Sequence, residues 1–163
     1  MIALKTLLFV VFVPGTVTVV VPYWMLSVHA PLLSGGFGVF RYPSAIPLLL
    51  GISIYLKCAW DFTFIGQGTP APIDPPKELV IQGLYRYMRN PMYVGVVLQL
   101  LGEAWGFNSL VILIYAILLW TGFHLFVLFY EEPTLRRIFG DAYERYLNTV
   151  PRWIPGWKRS RSI

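Results

Sequence analysis

The sequence predicts an all-α, polytopic membrane protein with about four transmembrane helices, the last two forming a C-terminal helical hairpin that a cytoplasmic amphipathic helix follows. Hydrophobic residues make up 56% of the 163 residues and charged residues only 13%, about half the charged share of soluble domains. A soluble domain of this size has too much surface for its volume to bury so many apolar side chains. The chain is also far too apolar to be intrinsically disordered.

Four apolar stretches reach or approach the roughly 20 residues that a membrane-spanning helix needs. Asn108 separates the last two stretches, which predicts a tight antiparallel hairpin. The first stretch has an alternative interpretation as a cleavable secretory signal, which would leave the rest of the topology unchanged. We expect one membrane-embedded domain over residues 1–163, with two spans in 1–66 and a cofactor-binding core in 67–163. The stretches are Thr6 to Leu26, Pro43 to Ile65, Pro91 to Phe107 and Ser109 to Tyr130.

The positions of the basic residues orient the chain in the membrane. Lys5 precedes the first stretch, three basic residues lie between the second and the third, and seven follow the fourth, whereas Arg41 lies alone on the other side. The positive-inside rule therefore makes the N-terminus, the middle loop and the C-terminal tail cytoplasmic. This distribution explains the net charge of +5, so we predict no nucleic-acid partner. The single cysteine, Cys58, excludes an internal disulfide framework, and we predict no metal site.

Two cytoplasmic segments are candidates for covering a site. The stretch Gly68 to Pro76 contains four prolines, which favour a stiff, extended connector or a wall over a site. The tail from Glu131 has apolar residues at helical spacing, which predicts an amphipathic helix. This helix either lies on the membrane surface or folds back to close a cytoplasmic pocket. Its apolar residues are Leu135, Ile138, Phe139, Ala142, Tyr146 and Leu147.

Ionisable residues within the predicted spans are functional candidates because they are costly there. Lys57 and Asp61 are four residues apart, so we expect a structural ion pair along one helix face. Glu103 lies near the end of a short span, where it can reach the interface. His124 is either a satisfied polar residue between helices or a substrate contact. A transporter that uses Lys57, Asp61 and His124 as a relay is a weaker alternative, because four spans without a repeat offer little for alternating access.

The densest polar cluster is GLYRYMRNPMYVG, Gly83 to Gly95, with three tyrosines, two arginines and one asparagine immediately before a span. Pro91 fits the first turn of a helix and Asn90 its cap. Membrane anchoring by Tyr and Arg is one interpretation. The other is a site for a polar, cationic, aromatic cofactor, which the cluster forms together with Glu131 and Glu132, the acidic pair after the fourth span. Carboxylates can accept hydrogen bonds from hydroxyls or an amine, and tyrosine rings can pack on a purine or a sulfonium.

RNPMYVG, followed after a hydrophobic hairpin by EEPTLRRIFGDAYERYLNTVPRWIP, resembles the isoprenylcysteine carboxyl methyltransferase and phospholipid methyltransferase family. The resemblance covers Leu79 to Pro155. It implies an integral-membrane enzyme that transfers a methyl group from S-adenosylmethionine to a lipophilic acceptor, either isoprenylcysteine carboxylate-like or phospholipid-like. The cofactor contacts that it implies are Lys77, Glu78, Leu79, Val80, Tyr85, Asn90, Pro91, Met92, Tyr93 and Glu131.

The sequence departs from the family pattern at two positions. Asn90 replaces the family's histidine and cannot become cationic or act as a base. Val127 stands where the prenylcysteine enzymes have an arginine that meets the substrate carboxylate. We assign no catalytic residue and place Glu131 in cofactor binding rather than base catalysis. We predict substrate contacts at Arg152, which could pair with a carboxylate or phosphate, and at His124. An inactive membrane scaffold or partner subunit of the same fold is the alternative function, and the sequence leaves the acceptor and the oligomeric state open.

Overall fold

The structure is a computed structural model that describes residues 12–28, 38–64 and 79–156. The described residues form helices, turns and loops and contain no strand, so the predicted all-α class is confirmed. The predicted proline-rich wall at Gly68 to Pro76 lies outside the described residues. We number six helices, α1 to α6, as Phe12–Val28, Ala45–Phe64, Pro91–Gly106, Leu110–Phe126, Glu132–Phe139 and Asp141–Thr149.

Within the described residues, two helical segments are long and apolar enough to cross a membrane. One is Gly38–Phe64, 27 residues, in which a 3-10 turn precedes α2, and the other is Leu110–Phe139, 30 residues, in which α4 continues through a π-helical turn into α5. Helices α1 and α3 are apolar but shorter. Many large apolar side chains of these helices are exposed, as suits a lipid environment; Trp60 and Leu118 are examples. The predicted fold class is therefore supported by two candidate membrane-spanning helices.

Helices α3 and α4 form the predicted antiparallel hairpin. Asn108 occupies the turn with φ +51°, a left-handed conformation that asparagine tolerates better than most residues. The Ser109 hydroxyl then caps α4 by accepting a hydrogen bond from the Ile112 amide. The two helices share a small core in which Leu100 and Ile112 are fully buried. The hairpin thus brings the start of α3 and the end of α4 to the same end of the molecule.

Helix α2 packs against α3 at backbone distance because glycines face each other. A Cβ atom on Gly51 would lie 2.5 Å from the Gly95 carbonyl oxygen, and one on Gly102 would lie 2.8 Å from the Leu48 amide nitrogen. Close approach of this kind is typical of helices packed in membranes. The predicted ion pair of Lys57 with Asp61 is confirmed, and the buried Asp61 carboxylate lies beside Gly83, at the start of the loop before α3.

The predicted amphipathic tail helix is two helices, so the prediction of one continuous helix was wrong. Gly140 has φ +52° and ends α5, and its amide donates to the Arg136 carbonyl at 2.9 Å. Helix α6 then packs back on the chain, because the buried Tyr146 hydroxyl donates to the Tyr85 carbonyl at 2.7 Å. The fold-back alternative therefore describes α6 better than a helix lying flat on a membrane.

Candidate functional site

A cavity of about 420 Å³ lies where one end of each of the four long helices converges. Its α1 wall is apolar, whereas polar side chains line it from the loop before α3, from the first turn of α3 and from the π-helical turn after α4, so the cavity is apolar on one side and polar on the other. These polar side chains are Arg89, Asn90, Tyr93 and Glu131. The volume lies within the range of about 300–1,000 Å³ that is usual for small-molecule pockets. The lining residues are Val13, Pro14, Val17, Tyr55, Phe62, Tyr85, Arg89, Asn90, Met92, Tyr93, Val96, Phe123, Phe126 and Glu131.

The polar side of the cavity is organised by a hydrogen bond between Tyr93 and Glu131. Pro91 is the first residue of α3, as predicted, and this start places Tyr93 in the first turn of the helix. Its hydroxyl donates to Glu131 Oε2 at 2.8 Å, and its ring packs on Phe123 with centroids 4.6 Å apart. The structure therefore joins the two segments that the sequence singled out, although 38 residues separate them.

The next carboxylate, Glu132, is not among the residues lining the cavity and binds two arginines. Its Oε1 accepts from Arg89 Nη1 at 2.9 Å and from Arg152 Nε at 2.7 Å, and its Oε2 accepts from Arg152 Nη2 at 3.0 Å. Glu132 is only 5% exposed, so these charge-assisted bonds form in a largely dry environment. The hydrogen bond to Glu132 raises the pKa of Arg152. Arg152, which we predicted as a substrate contact, thus has an internal partner and is not among the residues lining the cavity.

Asn90 holds the cap position of α3, as predicted, but its side chain does not cap the helix. Its amide Nδ2 donates instead to the Arg152 carbonyl at 3.2 Å. Asn90 is buried and lines the cavity, so it joins the cavity wall to the C-terminal segment. A residue at this position needs a donor for that bond and does not need a charge.

The C-terminal segment Pro151–Gly156, which we call the strap, is hydrogen-bonded across the entry to α3. The Arg89 amide donates to the Pro151 carbonyl at 2.9 Å, and the Gly156 amide donates to the Tyr87 carbonyl at 3.0 Å. Within the strap, the Trp153 indole N–H donates to His124 Nδ1 at 3.1 Å. Nothing in the neighbouring sequence marks Trp153, because its partners Tyr93, Trp120 and His124 are distant along the chain.

His124 and Glu131 are seven residues apart, a spacing that would place both on one face of an α-helix, yet they do not line the same cavity. Seven residues make about two turns of an α-helix, but the π-helical turn Val127–Glu131 has a wider turn and changes the register. Glu131 consequently reaches the cavity, whereas His124 is not among the residues lining it. His124 is instead a polar residue with a hydrogen-bond partner inside the protein, because its Nδ1 accepts from the Trp153 indole of the strap.

Five of the predicted cofactor contacts line the cavity together: Tyr85, Asn90, Met92, Tyr93 and Glu131. Leu79, Val80 and Pro91 do not line it, and Lys77 and Glu78 lie outside the described residues. Val80 is buried in a cluster with Cys58 and Tyr85 instead.

Sequence reasoning missed most of the apolar wall, including Tyr55 and Phe126, because nothing in a hydrophobic span distinguishes a side chain that faces a cavity. Arg89 was also missed, although it precedes Asn90 in the polar cluster.

Two buried tyrosines, Tyr85 in the cavity lining and Tyr143 in α6, keep their hydroxyl protons. Burial raises the pKa of Tyr85 well above its usual value. Burial, followed by the negative charge of Glu132, raises the pKa of Tyr143 to about 12. Both side chains are therefore neutral hydrogen-bond donors at physiological pH.

These features define a class: an all-helical chain with apolar helices of membrane length and a half-polar cavity at one end of a helical hairpin. A family model described as phospholipid methyltransferase matches residues 42–142, more than half of the chain. The match contains the hairpin, Tyr93 and Glu131. The chain belongs to this methyltransferase family.

The chain is also similar to curated proteins with related names. It is 38% identical over 159 residues to a protein-S-isoprenylcysteine O-methyltransferase of Schizosaccharomyces pombe, an alignment that covers 82% of this chain and 66% of the yeast protein. It is 32% identical over 79 residues to protein-S-isoprenylcysteine O-methyltransferase B of Arabidopsis thaliana, covering 48% of this chain and 40% of the plant protein. The chain thus spans less than two thirds of the relatives it matches. No solved structure matches it significantly.

Proposed function

We propose that this chain is an integral-membrane methyltransferase that uses S-adenosylmethionine to methylate a lipophilic acceptor. One observation carries the proposal: a single cavity joins the hydrogen-bonded pair of Tyr93 and Glu131 to an apolar wall built by four helices. A water-soluble methyl donor suits the polar side of such a cavity, and a lipophilic acceptor suits the other side.

The residues of the polar side fit S-adenosylmethionine in charge and shape. The cofactor is cationic and carries hydroxyls and an aromatic base. Glu131 offers a carboxylate for an amine or for hydroxyls. The rings of Tyr85, Tyr93 and Phe123 offer faces for the base or for the sulfonium. Asn90 and Met92 complete this side of the cavity, and we assign all of these residues to cofactor binding.

The cofactor supplies a methyl group bonded to a good sulfur leaving group, so transfer requires alignment rather than a covalent intermediate on the protein. The protein's part is to hold the donor and the acceptor in line and to exclude water. Tyr93 orients the Glu131 carboxylate through the 2.8 Å hydrogen bond, and Asn90 cannot act as a base. A carboxylate or thiolate acceptor suits this site because it needs little or no general base.

The acceptor side is formed by apolar residues of α1, α3 and α4, among them Val17, Val96 and Phe126. The names of the relatives indicate an isoprenylcysteine carboxylate as acceptor, and the description of the family indicates a phospholipid. Both molecules combine an apolar chain with a polar head group. We propose that such an acceptor enters sideways between the spans, whereas the cofactor enters from the cytoplasm.

We further propose that α1 to α4 all cross the membrane, with both termini and the cavity on the cytoplasmic side. The cavity is lined by the first halves of α1 and α3 and by the second halves of α2 and α4, the pattern of four alternating antiparallel spans. Arg86 and Arg89, which precede α3, and Arg152, which pairs with Glu132 just after α4, lie at that end of the described helices, as the positive-inside rule requires of a cytoplasmic face.

The test is methyl transfer by the purified protein in lipid nanodiscs. The protein is incubated with S-adenosylmethionine labelled in its methyl group and, in separate reactions, with a prenylated cysteine and an aminophospholipid. We expect label in one acceptor, and we expect Glu131→Gln to weaken binding of S-adenosylmethionine. Glu144→Gln is the matched control, because Glu144 is half-exposed and pairs only with Arg136 on the surface.

Two results would decide against the proposal. A wild-type protein that binds no S-adenosylmethionine would favour the alternative of an inactive scaffold or partner subunit. Equal binding by the Glu131→Gln and Glu144→Gln variants would show that the cofactor occupies a different place.

A further inference from the structure

We propose that Trp153 is a positioning residue, which fixes the Tyr93 ring so that the Tyr93 hydroxyl orients Glu131 and thereby sets the affinity for S-adenosylmethionine. This inference rests on the proposed function, because it concerns the same cavity. Trp153 is not among the residues lining the cavity, and its ring contacts the lining residue Tyr93.

The Trp153 ring has defined contacts on three sides. Its indole N–H donates to His124 Nδ1 at 3.1 Å, and its ring packs on Trp120 with centroids 4.4 Å apart. A third contact is edge-on to Tyr93, with centroids 6.4 Å apart and planes at 61°. Both His124 and Trp120 belong to α4, so the indole has a fixed place on the same helix that leads to Glu131.

The Tyr93 ring lies between two aromatic neighbours. Phe123 packs on it at 4.6 Å and Trp153 approaches it at 6.4 Å. Aromatic pairs of this kind favour particular ring orientations. The Tyr93 hydroxyl is at the far end of a rigid ring. The direction in which the ring points from α3 therefore decides whether the hydroxyl can donate to Glu131.

The strap itself is held by bonds that do not involve Trp153. Asn90 Nδ2 donates to the Arg152 carbonyl, Arg152 binds Glu132, and the Arg89 amide donates to the Pro151 carbonyl. A small change in the indole can therefore be tested without releasing the strap. The His124 imidazole is the part of the arrangement that selects a tryptophan, since Phe and Tyr offer no N–H at that position.

The test is a double-mutant cycle on the dissociation constant of S-adenosylmethionine, measured by isothermal titration calorimetry with the full chain in nanodiscs. Trp153→Phe keeps an aromatic ring and removes the N–H donor. We expect it to raise the Kd about three- to tenfold in the wild-type background and to leave it unchanged in a Tyr93→Phe background. Trp105→Phe, at the far end of α3 and 44% exposed, is the matched control and should not change the Kd.

Two substitutions of His124 separate the effect of the Trp153 hydrogen bond on ring orientation from the effect of packing alone. His124→Leu removes the acceptor and should raise the Kd as much as Trp153→Phe does. His124→Asn keeps a hydrogen-bond acceptor near the position of Nδ1 and should restore most of the affinity. These two variants leave the strap sequence intact, so they test the inference even if Trp153→Phe folds poorly.

The outcomes separate this inference from the proposed function. If the wild-type protein binds S-adenosylmethionine and Trp153→Phe binds it equally well, the positioning role is wrong and the proposed function stands. An equal effect of Trp153→Phe in both backgrounds would mean that the indole acts on general packing and not through the Tyr93 hydroxyl. No binding by the wild-type protein would overturn both.

Discussion

Replacement of Glu132 by alanine should destabilise the fold severely, because this carboxylate neutralises two arginines inside the protein. Glu132 accepts three hydrogen bonds at 2.7–3.0 Å. The Glu132 and Arg89 side chains are 7% and 10% exposed, whereas that of Arg152 is 27% exposed. Alanine would leave the Arg89 guanidinium buried and unpaired. The more exposed Arg152 can recover part of its hydration.

The magnitude follows from these exposures. Breaking a buried ion pair by removing one partner costs about 3–5 kcal/mol, and the bond to Arg89 falls in this class. Glu132→Gln keeps the volume and one acceptor oxygen and loses the charge, so we expect about half that loss. For chains of 150–250 residues, each kcal/mol lowers the melting temperature by about 2–4 °C. Glu132→Ala should therefore lower the Tm by about 6–20 °C.

The assay is thermal unfolding in one detergent, followed by intrinsic fluorescence, for wild type, Glu132→Gln and Glu132→Ala. The control is Glu144→Ala, which removes an exposed surface pair with Arg136 and should cost less than about 1 kcal/mol. If Glu132→Ala is no less stable than Glu144→Ala, the buried Arg89–Glu132–Arg152 cluster does not contribute to stability and the reasoning is refuted.

Two further predictions concern the helix contact and the cavity wall. Gly51→Ala should destabilise the protein by about 1–3 kcal/mol, because its Cβ would lie 2.5 Å from a carbonyl oxygen of α3. The control is Gly122→Ala, whose Cβ would have no atom of another part of the described structure within 4 Å and which should stabilise α4 by about 0.5–1 kcal/mol. Equal effects of the two substitutions on thermal unfolding would refute the close contact. Asn90→Asp should lower stability by more than about 1 kcal/mol, because a carboxylate cannot donate to the strap carbonyl. The exposed Asn148→Asp is its control, and equal unfolding temperatures for the two variants would contradict the bond.

The sequence predicted those parts of the fold that local signals determine. The start of α3 at Pro91 and the hairpin turn at Asn108 depend on neighbouring residues, and the structure has both. Of the four predicted apolar stretches, two lie in helical segments long and apolar enough to cross a membrane. The pairing of Lys57 with Asp61 depends only on helical spacing. The sequence also placed Tyr93 and Glu131 together, although this came from the family resemblance and not from local patterns.

The remaining features depend on backbone changes or on distant contacts. A glycine inside a helix costs only about 1 kcal/mol, so the amphipathic pattern gave no reason to end α5 at Gly140. The π-helical turn before Glu132 has no sequence signature, and it separated His124 from Glu131. The internal partner of Arg152 and the contacts of Trp153 depend on how the strap returns to α3, which spacing along the chain cannot predict.

The glycine contact between α2 and α3 limits which walls of the cavity can change in size. Two helices whose backbones touch at Gly51 and Gly95 leave no room for larger side chains between them, so they act as a single rigid wall. Helix α1 contributes only small apolar side chains to the chamber, and the Tyr115 hydroxyl of α4 reaches its Val17 carbonyl at 3.2 Å. Substitutions in α1 can therefore change the width of the apolar side of the cavity, to suit an acceptor with a longer or shorter apolar chain. The rigid wall of α2 and α3 and the side that carries Glu131 would stay in place.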